Sequence, residues 1–298
     1  MKSAWGCPGD WLELMRPFSW TASIIPVIMA GIVVNRTINM NLYKFLLILM
    51  GVLMVHIAGN IVNEFYDSKN GLDTLESERC SKVLLEKRIN PVFALKTAKT
   101  LFVLYLMGIL LYAWFTGLWH IIILAFIGVG SSFYYTAPPL AFKYRGLGVL
   151  SIFTTFGILL PQSVYCAFTG IFSPYLFWIS LPLAFLVSAI LLGNQLRDID
   201  YDCQIVTLIS YIGRDYGIYI YTGVICVVYL LPLVYMITGF LNSAWLIFMS
   251  LPVAIYLVFI SLVKGIKRGQ YDQLNKLDVK TAGLHLVYGI LWNLALCC

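Results

Sequence analysis

The sequence predicts an all-α, polytopic membrane protein with nine transmembrane helices. Three observations lead there. Of 298 residues, 60% are hydrophobic and only 11% are charged, whereas a soluble domain carries about 25% charge. The mean hydropathy is +0.86. Apolar runs of the roughly 20 residues that a helix needs to cross a bilayer recur along the whole chain.

The first span, 17–34, starts after Arg16-Pro17 and is itself long enough to cross, so it does not read as a cleavable signal. The second, 42–63, carries "FLLILMGVLMVHIA" and runs straight into "GNIVNEFYDSKNGLDT" (59–74). The third, 93–116, and the fourth, 118–136, are joined by the short uncharged "TGLWH". The fifth, 147–169, and the sixth, 175–196, are joined by "TGIFSP". Spans at 216–238, 243–263 and 282–298 complete the set.

Charge sorts these connections into two kinds. The segments before the first span and after the second, fourth, sixth and eighth hold 16 of the 20 Lys and Arg, and Lys96 and Lys99 open the third span on the same side; Arg36 and Lys44 are the other two. All 14 acids share the side of the majority. By the positive-inside rule that side is cytoplasmic, with the N-terminus inside, the C-terminus outside, and the cell membrane as the expected location. The seven cysteines form no CxxC or zinc spacing, and most read as small packing residues. No nucleic-acid partner and no obligate protein partner is expected; the bilayer is.

Two polar runs interrupt this apolar chain. In the first, Asn63 and Asp67 are spaced i, i+4, Glu64 lies three residues before Asp67, and Gly71 is expected to break the helix so that Asp73 folds back. In the second, "GNQLRDIDYD" (193–202), Asn194, Asp198 and Asp202 follow one another at i, i+4, i+8 along one helical face. The runs end the second and the sixth span, four spans apart. The chain therefore reads as one domain, 1–298, of two pseudo-repeated helical bundles around a central cavity open to the cytoplasmic side. Clustered carboxylates and amides are hard oxygen ligands suited to Mg²⁺ that also carries phosphate oxygens. Lys69, Arg79, Lys143, Arg145 and Arg197 are the nearby cations that would bind a diphosphate.

These runs resemble the paired Asn/Asp motifs of the UbiA superfamily of intramembrane prenyltransferases. "LMRPFSWTASIIPVIMAG" (14–31), "YYTAPPLAFKYRGLG" (134–148) and "TAGLHLVYGILW" (281–292) resemble that family's first helix, a cytoplasmic segment and its last helix. Within the superfamily, "NEFYDSKNGLDT" and "KYRGLG" are most similar to the 1,4-dihydroxy-2-naphthoate polyprenyltransferases of menaquinone synthesis. The resemblance implies nine helices, Mg²⁺ as cofactor, and a prenyl diphosphate and an aromatic acceptor as substrates. It implies Asn63, Glu64, Asp67 and Asp73 around one Mg²⁺, and Asn194, Asp198 and Asp202 around another. Lys143, Arg145 and Arg79 would stabilise the leaving diphosphate, and Tyr144 would orient it or the acceptor. Phe133, Tyr134, Tyr135 and Phe156 would wall off water. Two departures stand out. Glu64 replaces the family's usual Asp, and "CQIVTL" (203–208) is about two residues short and lacks Lys or Arg.

Three other readings stay open: an intramembrane terpene cyclase, which keeps the ionisation step and drops the acceptor, a prenyltransferase with a different acceptor such as a glycerol phosphate or hydroxybenzoate, and an ion-coupled carrier. The carrier predicts acids deep within the spans, and here all 14 lie at one face. The topology has a direct test. Single cysteines at Arg36 and Lys82 are expected to be labelled by impermeant reagents from opposite sides; labelling from one side would overturn the assignment.

Overall fold

The computed structural model describes residues 5–72, 81–199, 206–267, 274 and 276–298. Every regular element among them is helical, and one isolated β-bridge joins Arg145 to Val206. Seven helical stretches among the described residues are long and apolar enough to cross a membrane, and apolar side chains such as Met107, Leu111, Trp114 and Phe115 are left exposed on them. The chain is an integral membrane protein.

The elements in order are α1 (Pro8–Met15), α2 (Thr21–Thr37), α3 (Leu42–Lys69), α4 (Pro91–Thr116), α5 (Ile121–Tyr134) and α6 (Gly148–Ile152). They continue with α7 (Leu160–Thr169), α8 (Pro174–Asp198), α9 (Leu208–Ile212), α10 (Arg214–Ile237), α11 (Leu251–Phe259) and α12 (Leu277–Cys297). A π-helical stretch, Phe153–Leu159, runs α6 into α7 as one span. The expected fourth and ninth spans fall on α5 and α12. At 14 residues α5 is about 21 Å long, short of a roughly 30 Å hydrocarbon core. In α12, Lys280, His285 and Asn293 lower the hydropathy.

The contacts divide the chain into two compact units. One holds Met1–Ser23 and Leu42–Lys143, the other Ile24–Asn41 and Tyr144–Cys298. In the first, α3, α4 and α5 pack together, with α1 against α3. Their shared core includes Leu14, Ala58, Ile61, Val62, Ala94, Ala98 and Phe102. The start of α4 is set by Asn90, whose side-chain oxygen accepts from the amides of Val92 and Phe93 ahead of the usual first-turn proline.

In the second unit α8 packs against α10 and α12. Aromatic side chains join these helices by donating to backbone carbonyls. The Tyr288 hydroxyl donates to Val228 O (2.9 Å), Tyr235 to Trp178 O (2.7 Å), and the Trp292 indole to Ile179 O (3.0 Å). Each ring supplies contact area and places its one polar atom on an acceptor, which suits helix packing in lipid. The division also assigns most of α2 to the C-terminal part of the chain, where a simple halving by sequence puts it with the N-terminal part. The reason is local: Gly289 leaves room for the Ile25 side chain, and the Asn293 amide reaches Ile25 O at 3.5 Å.

Trp292 is fully buried. Trp292→Ala is expected to cost about 3–5 kcal/mol by leaving a cavity, and Trp292→Phe about 1 kcal/mol by losing the hydrogen bond. Thermal unfolding in detergent, followed by loss of monodispersity, checks the order; equal loss in both variants would refute the packing role.

Candidate active site

The last three turns of α3 carry the first polar run. The helix continues to Lys69 and then stops, with Gly71 at φ +73° and the Leu72 amide bonded back to Asp67 O (3.0 Å). The break expected at Gly71 is therefore present. Glu64 and Asp67 are both buried, at 1% and 3% exposure. Carboxylates buried this deeply stay ionised only with a partner. Arg16 pairs with Glu64, and the Lys143 ammonium lies 2.6 Å from Asp67. One turn before Asp67, the buried side-chain oxygen of Asn63 has no hydrogen-bond partner among the described residues. Asn60 is occupied otherwise: its amide donates to Met15 O (2.9 Å) and to Ser19 Oγ (3.0 Å).

The second run ends α8. Asn194 and Asp198 stand one turn apart on that helix. The Arg197 guanidinium grips Asp198 with two parallel bonds, Nε to Oδ1 at 2.8 Å and an amine to Oδ2 at 2.7 Å, and also pairs with Asp278 at the start of α12. Such a fork holds a carboxylate in one orientation. Gly193 lets this happen, because a side chain there would meet the Asp278 backbone at about 3.1 Å.

Of the remaining sequence candidates, Lys69 is exposed with its ammonium 5.9 Å from the Tyr66 ring centre. Tyr144 is half-buried at the end of the short helix Phe142–Tyr144, and Arg145 is exposed beside it. Asp73, Arg79 and Asp202 lie outside the described residues. His56, one turn before Asn60, has both ring nitrogens engaged, by Ser19 at 3.0 Å and Ser23 at 2.6 Å. Two residues escaped the sequence reading. Arg16 showed only as the Arg-Pro ahead of a span, and Asp278 only as one of the 14 acids. No spacing rule links either to its partner.

Among the described residues no group of three or more His, Cys, Asp and Glu gathers to enclose a metal by itself. Mg²⁺ does not ask for that, since it takes one or two carboxylates and fills its octahedron with water and phosphate oxygen. The partnerless amide oxygen of Asn63 with the carboxylate of Asp67 one turn on is a donor set of that kind. The residues present fit the ion.

Comparisons with known proteins agree on the family. The UbiA prenyltransferase domain-containing protein 1 of Xenopus tropicalis is 31% identical over 93% of this chain and 79% of its own length. The 1,4-dihydroxy-2-naphthoate octaprenyltransferase of Bacillus subtilis is 28% identical over 95% and 91%. Among solved structures, a UbiA homolog from Aeropyrum pernix K1 superposes with a TM-score of 0.67 at 14% identity, covering 94% of this chain and 98% of that one. A UbiA homolog from Archaeoglobus fulgidus bound to GPP and Mg²⁺ gives 0.60 at 14% identity, over 95% and 99%. The family pattern itself matches residues 23–277. This chain belongs to the UbiA prenyltransferase family.

Proposed function

We propose that the chain transfers a prenyl group from an isoprenoid diphosphate to an electron-rich aromatic ring, in a Mg²⁺-dependent reaction, with 1,4-dihydroxy-2-naphthoate as the acceptor. The observation that carries this is the pair of Asn-x-x-x-Asp runs ending α3 and α8, each with its aspartate held by a basic side chain. The acceptor is supported by the relative from Bacillus subtilis that bears that name, and the ion and diphosphate by the Archaeoglobus fulgidus homolog bound to GPP and Mg²⁺. We place the protein in the cell membrane with all nine helices crossing it, the N-terminus cytoplasmic and the C-terminus outside.

Asn63 and Asp67, with Asp73 from the segment that follows, would hold one Mg²⁺; Asn194, Asp198 and Asp202 would hold another. Bound there, the ions would supply Lewis-acid charge to the leaving diphosphate. Lys143, Arg145, Lys69 and Arg79 add donors to the phosphate oxygens, and their attraction grows as charge develops there. Arg197 works on the carboxylate side by fixing Asp198. The allylic C–O bond breaks and its electron pair leaves with the diphosphate. The acceptor ring carbon then forms the new C–C bond, and in the naphthoate case the ring carboxylate departs as CO₂. Phe133, Tyr134 and Tyr135 keep water from the allylic carbon and present ring faces to its positive charge. Tyr144 orients the diphosphate or the acceptor carboxylate.

Purified protein with Mg²⁺, a prenyl diphosphate and a panel of aromatic acids, read by mass spectrometry, is expected to yield the prenylated, decarboxylated naphthoquinol. EDTA should abolish product, as should Asp67→Ala and Asp198→Ala in correctly inserted protein. A cyclised hydrocarbon formed from the diphosphate alone would overturn the transferase reading in favour of a cyclase.

Arg145 gives a graded test. A charge-assisted contact contributes about 1.5–3 kcal/mol, so Arg145→Ala should lower turnover on the order of 10- to 150-fold. Arg145→Lys should recover part of it, lacking the planar fork. Parent-like turnover in both variants would leave Arg145 as a topology charge only.

A further inference from the structure

In the first motif, two i, i+4 pairs share α3. Asn63 and Asp67 form one; Asn60 and Glu64 form the other. They are offset by about 60° around the helix, three residues at 100° each. The second pair is tied to the segment Met15–Ser23. Asn60 bonds Met15 O and Ser19 Oγ, and Glu64 pairs with Arg16. His56, one turn before Asn60, adds its contacts to Ser19 and Ser23. The Ser19 hydroxyl donates to Arg16 O (2.8 Å), so it accepts from Asn60 and from His56 Nε2, and His56 Nδ1 accepts from Ser23.

Arg16 itself sits in the left-handed region, at φ 51° and ψ 64°. A non-glycine residue keeps such a backbone only where its surroundings fix it, and such residues gather at functional sites. Here the Ser19 amide and hydroxyl both bond the Arg16 carbonyl, at 2.9 and 2.8 Å. The turn thus aims the guanidinium at a carboxylate that is 1% exposed.

We infer that Arg16 and Glu64 are positioning residues for the reaction proposed above: their ion pair turns Glu64 away from the metal-binding set and fixes the end of α3 so that Asn63 and Asp67 serve as its ligands there. This rests on the first motif being a metal site, and it removes Glu64 from the ligands expected from sequence. Glu64 is then longer than the family's usual Asp because it must reach Arg16, and its charge balances Arg16 instead of a cation from solution.

The experiment separates the pair from the metal. Mn²⁺ binding in the presence of geranyl diphosphate is measured by electron paramagnetic resonance on full-length protein, for E64Q and D67N. E64Q should keep Mn²⁺ affinity within about twofold of the parent, while D67N weakens it at least about tenfold. Turnover supplies a double-mutant cycle. E64Q and R16Q should each lower kcat about tenfold with little change in KM, and R16Q/E64Q should also lose about tenfold, not the roughly hundredfold that independent sites would give. R16K replaces R16Q in the same cycle if R16Q is not monodisperse. Loss of Mn²⁺ binding in E64Q to the extent seen in D67N would overturn the proposal by making Glu64 a ligand, and multiplicative losses in the cycle would overturn it by uncoupling the pair. Parent-like Mn²⁺ binding in D67N would instead sink the metal site of the proposed function, and the cycle would still decide the Arg16–Glu64 pair.

Discussion

An ionised carboxylate buried among apolar helices is far costlier than the same group in water, and it persists only beside a cation or a set of donors. The functional end of α3 is organised by that requirement. Glu64 and Asp67 lie on the last turns of a 28-residue helix, and each draws in a basic residue from far along the chain: Arg16 from 48 positions before Glu64, Lys143 from 76 after Asp67. Those two pairings fix where the segment ahead of α2 and the segment after α5 must lie in their unit. In the second unit Asp198 and Asp278 share Arg197, and that shared cation, with the gap at Gly193, sets where α12 begins against α8. The acids at these helix ends also locate the connections.

Away from these ends the helices hold together by other means. The second unit joins α8, α10 and α12 through Tyr and Trp donors on carbonyl oxygens, and Tyr221 meets Thr281 through their hydroxyls at 2.8 Å. These bonds are neutral. In lipid, water offers no competing partner, and a neutral bond avoids the desolvation that an ion pair would incur. At the ends that bear the motifs, by contrast, Glu64, Asp67, Asp198 and Asp278 are each paired with a basic side chain.

The helices and the motif spacing were legible because both are local. A run of 20 apolar residues, a four-residue repeat of Asn and Asp, and Gly71 ending α3 each depend on neighbours in sequence. Arg16 and Asp278 were not legible, since what matters about each is a partner 48 or 81 residues away. The placement of α2 was hidden for the same reason. Its affiliation with the C-terminal unit rests on the room left at Gly289 and on Asn293, near the far end of the chain. Within the first motif, both Glu64 and Asp67 were expected to be metal ligands. Only the three-dimensional pairing separates them.

That separation follows the chemistry of the two partners. Arg16 is planar, permanently charged, and carried on a backbone turn that Ser19 closes from two sides. It suits a contact that must not exchange during turnover. Lys143 presents a single ammonium at the end of a flexible stem, and its three rotatable donors can turn from one anion to another where a second cation takes over the first. It would suit a contact with Asp67 that gives way to the diphosphate and metal of the proposed function. A rigid cation on the residue that sets the helix, and a mobile cation on the residue that meets substrate, is the arrangement expected if Glu64 holds the site in place and Asp67 takes part in it.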